Sequence, residues 1–449
     1  MTENSPTAHR PASRLAAFYA LVLTQTFSLI GSRMTSVAVG IFIFRETGQA
    51  APLLLISFFN ELPGMLGGGL AGVLVDRWNR KLVMILADLG QAAGSVLLIA
   101  SFLSGAFQLW HVYAVAFLQG VFATLQGPAE SATVTLMVPE GHRDRANAIM
   151  ELGFPLASVL APVLTGLVYA SIGVTGVLAV DLGTFVIAAC VLLVLAIPQP
   201  VATDQGSAGR GSVVSEWRTG FAFLRRHRPL LIFIVYFAFG SFMLNGPLDL
   251  VIPYFLSATG SETQMGFGLT IMALGTFAGG LLIAVFSHVR PRMKLIAGGA
   301  VLTGVMFLVF GLARALPVMA AALFLLMLPL PANNALYKSI FQLKVPADMQ
   351  GRVFAFAEQL FLLGSTTSFL LTGALVDRVL TPLASAPGGW PLGSLLGKGH
   401  TGAIGLVEVV TGIVLLVGAE VTFSIRSVRR MEAELPDYEY EARGADTET

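Results

Sequence analysis

Among the charged residues inside long apolar stretches are Arg33, Glu61 and Asp249. A charge at the centre of a bilayer costs about 3 kcal/mol or more, so each needs a partner, a wet cavity or a task. Glu61 stands beside Pro63 in an apolar run, where burial favours the uncharged acid, and it is the first candidate proton carrier. The competing reading is a standing ion pair with Arg33. Asp249, near Asn245, is the second candidate; its alternative is a charge exposed to water at an outer mouth. Glu130 and Lys338 fall near the inner ends of their runs and are expected to form an inner gate, unless Lys338 reaches to lipid headgroups and Glu130 caps a helix. Gln25, Gln119, Gln126, Asn245, Asn333 and Asn334 are candidates for hydrogen bonding to a small-molecule substrate; each could equally bond a neighbouring helix. Covalent and metal chemistry find no support. The six histidines form no HxxxH or HExxH pair, and Cys190 is the single cysteine. No metal, cofactor or catalytic residue is expected.

The elements that hold these residues follow from composition. Of 449 residues, 55% are hydrophobic and 12% charged, against roughly 25% charged in ordinary soluble domains. So few charges cannot cover the wet surface of a soluble enzyme. A net charge of +1 gives no reason to expect a nucleic-acid partner. Twelve apolar runs are expected to cross a bilayer: 15–44, 50–75, 82–104, 108–137, 146–171, 174–197, 229–256, 265–288, 294–313, 316–343, 352–379 and 402–425. Each is far longer than a barrel strand, so the fold class is an all-α polytopic membrane protein. The first run is too long for the apolar part of a signal peptide.

Lysine and arginine set the expected orientation. With the N-terminus inside, 21 fall on the cytoplasmic side and 4 on the outer side, which puts both termini in the cytoplasm. The expected organisation is a six-helix half at 1–197, a cytoplasmic linker at 198–228, a second six-helix half at 229–425 and a cytoplasmic tail at 426–449, acidic and loose after Arg430. Residues 380–401 are a Pro/Gly-rich outer loop. The halves repeat: 138–166 aligns without gaps on 345–373 at an offset of 207, matching Val138, Pro139, Arg145, Glu151 and Leu164-Thr165-Gly166 to Val345, Pro346, Arg352, Glu358 and Leu371-Thr372-Gly373. Composition alone does not give matched Pro, Arg and Glu in one register.

The loop after the second run reads GVLVDRWNRK (72–81). It resembles the signature G-x-x-x-D-R-x-G-R-[RK] of the major facilitator superfamily, with Asn79 in place of the second glycine. The resemblance implies twelve transmembrane helices in two pseudo-symmetric six-helix halves. It also implies that Gly72, Asp76, Arg77, Arg80 and Lys81 form a conformational-switch loop. ASVLAPVLTG (157–166) is similar to the family's antiporter motif g-x-x-x-G-P-x-x-G-G at Ala161, Pro162 and Gly166. AFLQG (116–120) lacks the arginine that many proton-coupled members carry there. In this family runs one, four, seven and ten line the cavity, and Asp88, Asp181, Glu408 and Glu420 are peripheral and structural. The segments 28–50 and 120–149 are most like the enterobactin and macrolide exporter branch. The expectation is a monomeric, proton-driven exporter of small amphipathic molecules in the cell (inner) membrane. Rivals are a nutrient or metabolite symporter on the same fold and a non-transporting membrane sensor.

Overall fold

The computed structural model describes residues 11–138, 146, 149–150, 152–195, 213–285, 292–386 and 390–438. Arg145, Glu151 and the linker up to residue 212 lie outside them. Every long element among the described residues is a helix. The first half of the sequence gives α1 (Pro11–Thr47), α2 (Ala51–Arg77), α3 (Arg80–Leu103), α4 (Leu109–Met137) and α5 (Gly153–Val194). After the linker come α6 (Val213–Arg226), α7 (Arg228–Asp249), α8 (Val251–Thr259), α9 (Glu262–Val285) and α10 (Arg292–Leu312). Then follow α11 (Leu316–Met327), α12 (Pro329–Lys344), α13 (Ala347–Leu375) and α14 (Gly399–Ser424). Ten helical stretches are long and apolar enough to cross a membrane among the described residues. Large apolar side chains are exposed along them, including Leu97, Leu167 and Val421, as helices facing lipid require.

Two of the twelve expected spans account for the difference. The runs at 146–171 and 174–197 lie on the two helical segments of α5, which meet at a kink at Gly173, whose φ of 67° a β-carbon would strain, and which count as one of the ten. The 27-residue α2 is not among the ten, which were counted over the described residues alone. Spans expected to be continuous are broken by proline. Pro329 starts α12 directly after α11, and Pro247 and Pro253 flank the break between α7 and α8. The repeat is visible in helix ends: α4 stops at Met137 and α12 at Lys344, 207 positions apart.

The chain forms two compact units, and their borders are not those of the sequence halves. One contains residues 1–39 and 66–209; the other contains 40–65 and 210–449. In the first unit α3 packs between α4 and α5. In the second, α10 packs along α14 and α13 along α7. The α10–α14 contact is built on glycine. A β-carbon on Gly412 would stand 2.6 Å from the Gly304 carbonyl oxygen, and one on Gly311 would stand 2.6 Å from that of Gly405. Two glycine pairs, two turns apart, let the backbones touch.

The end of the linker is docked, and so is the tail, which was expected to be loose. The basic, amphipathic part of the linker is α6, which lies on α13 with Leu224 fully buried and Trp217 4.9 Å from the Phe356 ring. The tail is held through Tyr438. Lys344 donates to the carbonyls of Glu432 (2.6 Å) and Leu435 (2.5 Å) and pairs with Asp437 at 2.8 Å, while Met431 is fully buried. The acidic pattern reads as solvated, but it complements a lysine that is itself buried. Replacing that lysine, Lys344→Met, removes charge-assisted bonds of roughly 1.5–3 kcal/mol. Trypsin is expected to cut at Arg429 and Arg430 about tenfold faster or more in that variant. Equal digestion rates would show that the clasp does not hold the tail.

Candidate functional site

In the first unit the polar residues converge on Asp88, which is fully buried on α3. Gln25 of α1 donates to one of its oxygens at 3.1 Å and Gln126 of α4 to the other at 3.0 Å. Gln126 also donates to Gln25 at 3.1 Å and accepts from Gln91 at 2.8 Å. Gln126 and Glu130 are one turn apart on α4, with Pro128 inside the helix between them. Three helices are thus joined by one carboxylate and three amides. Asp88 was expected to be a peripheral structural residue; it is the centre on which two substrate candidates, Gln25 and Gln126, meet. No composition signal marks that meeting, because it depends on how each helix is rotated.

A second buried node forms on Asp181 of α5. It accepts from Thr35 and Ser95, each at 3.0 Å, and from Ser32 at 3.3 Å. Gly31 admits it: a β-carbon there would stand 3.0 Å from the Asp181 carboxylate. Arg33 places its guanidinium 4.4 Å from the Phe154 ring centroid, a cation–π arrangement. Gln119 lies beside Gly94 of α3.

Within this unit Asn79 and the switch-loop residue Lys81 fasten helix ends. Asn79, the departure from the family pattern, is the N-cap of α3 and accepts from the Leu82 amide at 3.2 Å. Lys81 donates to the carbonyls of Leu193 (2.9 Å) and Leu195 (2.8 Å), closing the last turn of α5. Arg80 is the first residue of α3. Gly72, Asp76 and Arg77 lie in the last turns of α2, with their side-chain positions outside the described residues. Of the antiporter-like residues, Ala161 and Pro162 are buried. Ala161 packs, with Ala157, against Ile30, Met34 and Ala38 of α1, and Thr165 donates to the Met34 carbonyl at 3.3 Å. Gly166 faces open space.

The second unit holds the two proton-carrier candidates. Ser365 of α13 donates to Glu61, and Ser57 of α2 donates to Asp249. Asn245 turns back on its own helix, donating to the Ser241 carbonyl at 2.8 Å. Asn333 lies against Gly299 of α10, while Asn334 and Lys338 are exposed. Residues 40–65 are fixed in this unit by further polar contacts that the sequence does not advertise. Asp377 accepts from the backbone amides of Ala50 (3.0 Å) and Ala51 (2.6 Å), capping α2. Arg45 pairs with Glu262. No cluster of three or more His, Cys, Asp or Glu able to hold a metal occurs among the described residues.

Known proteins resemble this chain over most of its length. The family profile described as Major Facilitator Superfamily matches residues 21–369. Macrolide efflux protein A of Streptococcus pyogenes is 27% identical over 370 residues, which is 81% of this chain and 90% of that protein. The enterobactin exporter EntS of Salmonella choleraesuis is 28% identical over 378 residues, covering 82% and 88%. Among solved structures, a bacterial homologue of the human lysosomal transporter Spinster superposes with a TM-score of 0.73 at 17% identity, covering 93% of this chain and 98% of that one.

Proposed function

The chain belongs to the major facilitator superfamily, and on that premise we propose that it exports small amphipathic molecules by alternating access, as a proton antiporter. The cargo class is a drug, a macrolide-like compound or a siderophore-like natural product. The observation that carries this reading is the similarity to a macrolide efflux protein and an enterobactin exporter over four-fifths of the chain. The proposed topology is twelve crossings of the cell membrane, with both termini cytoplasmic, in a monomer.

Glu61 and Asp249 are the proposed proton carriers. Each is a carboxyl on a membrane helix that accepts from a serine hydroxyl, a partner that bonds the acid and the carboxylate alike. Gln25, Gln119, Gln126, Asn245, Asn333 and Asn334 are the proposed substrate-binding polar groups. The test uses inverted membrane vesicles energised to acidify their interior. They should accumulate erythromycin or a cationic dye, and an uncoupler should abolish the uptake. Uptake that survives the uncoupler and follows sodium instead would overturn proton coupling.

The switch loop gives a second expectation. Asp76 is assigned to the conformational cycle and not to cargo contact. Asp76→Asn should lower the transport rate about tenfold or more, as loss of an interaction made in one state of a two-state cycle does. Cargo affinity, read by equilibrium binding to purified protein, should stay within a few-fold. A large loss of affinity at an unchanged rate would contradict the assignment.

A further inference from the structure

Glu408 is fully buried on α14, and neither of its carboxyl oxygens has a hydrogen-bond partner among the described residues. It faces the glycine contact with α10: a β-carbon on Gly311 would stand 2.9 Å from Glu408 Cβ. A carboxylate there would lose its hydration and gain no hydrogen bond in exchange.

The groups able to serve it as an anion are close by and already engaged. Tyr254 of α8 stands at the same glycine contact, its hydroxyl 3.5 Å from where a β-carbon on Gly405 would lie. Its hydroxyl donates to the Gly311 carbonyl at 3.0 Å and accepts from Arg314 at 2.8 Å. Arg314 also donates to the carbonyls of Ala313 and of Leu395, both at 2.9 Å. The remaining titratable groups on neighbouring elements lie elsewhere. Asp377 and His400, 3.9 Å apart, are at the first turn of α14; Tyr236 of α7 meets Phe423 at the other end; Asp249 is bonded by Ser57; Arg292 and Lys294 start α10.

We propose that Glu408 is a proton-binding site of this unit, separate from Glu61 and Asp249, and that its ionisation is transmitted through Tyr254 and Arg314 to the 390–398 loop. On ionisation the acid O–H bond breaks and the proton passes to water admitted at the α10–α14 contact. The Tyr254 hydroxyl turns from the Gly311 carbonyl to the new carboxylate, keeping its own proton. Arg314 is drawn inward and releases Leu395. The site does not depend on which cargo moves or in which direction.

Infrared spectroscopy of the purified protein in lipid nanodiscs tests this, titrated from about pH 5 to about pH 9. The wild type should show a protonated-carboxyl band that Glu408→Gln lacks. Tyr254→Phe removes the donor that would receive the anion, so its band should persist to higher pH than in the wild type. Hydrogen exchange of residues 390–398, corrected for the intrinsic effect of pH, should rise across the titration in the wild type and stay flat in Glu408→Gln. A band unchanged by Glu408→Gln overturns the site. If that variant does not fold, a Tyr254→Phe band titrating as in the wild type overturns the link. Sodium-driven uptake alongside these results would leave Glu408 standing and overturn only the antiport reading.

Discussion

Gly412→Val is expected to destabilise the protein by about 3 kcal/mol or more, lowering the melting temperature in detergent by roughly 3–5 °C. The reason is that the new β-carbon would meet backbone, which cannot rotate away. It would stand 2.6 Å from the Gly304 carbonyl oxygen and 2.9 Å from the Leu308 amide nitrogen. Gly311→Val should behave alike, since its β-carbon would stand 2.6 Å from the Gly405 oxygen. Gly298, on the same helix α10, has nothing within 4 Å of the corresponding position. Gly298→Ala should therefore melt with the wild type or slightly above it. If Gly412→Val melts with Gly298→Ala, the close approach of α10 and α14 is wrong.

Asp181→Leu should cost about 2–4 kcal/mol, because one acceptor serves hydroxyls from two other helices. Ser95 is fully buried and Thr35 nearly so, and neither can recruit water when the carboxylate is lost. Their fallback is a bond to a carbonyl of their own helix, which recovers part of the loss and bends that helix. Asp181→Asn keeps one oxygen acceptor and gains an amide donor that a hydroxyl can accept, so it should lose about half as much. Melting in detergent should rank wild type above Asn above Leu. Equal melting of all three would show that the α1–α3–α5 node contributes nothing.

What could be read from the sequence was read from runs and breaks. The extents of α3, α10 and α14 follow from apolar length, and the break at Gly173 falls between two expected spans, at 171 and 174. The family loop was legible, but the use of Asn79 as a cap was not, because a helix start displaced by two residues changes which side chain caps it. Asp88 and Asp181 were visible as charges within spans and were read as peripheral and structural. In a helix that is apolar on every side, periodicity does not reveal which face meets which neighbour. Pairings such as Asp88 with Gln126, or Asp377 with the start of α2, therefore wait for the packed structure. The docked tail was missed for a different reason. Its anchor is the burial of Lys344, and a lysine at a helix end reads as exposed until the fold covers it.

The placement of residues 40–65 in the unit of residues 210–449 sets an order of assembly during synthesis. The segment is made early, but its partners Asp249, Glu262, Ser365 and Asp377 leave the ribosome some 200 to 330 residues later. At about 5–20 residues per second, Glu61 and the uncapped start of α2 wait roughly 15–60 s for them. During that interval a carboxyl and free amides stand in or beside the bilayer without their final partners, which is a costly state. A nascent chain halted before residue 365 should therefore be more open to membrane quality control than one halted after residue 380, although both already carry α1 and α2 in full.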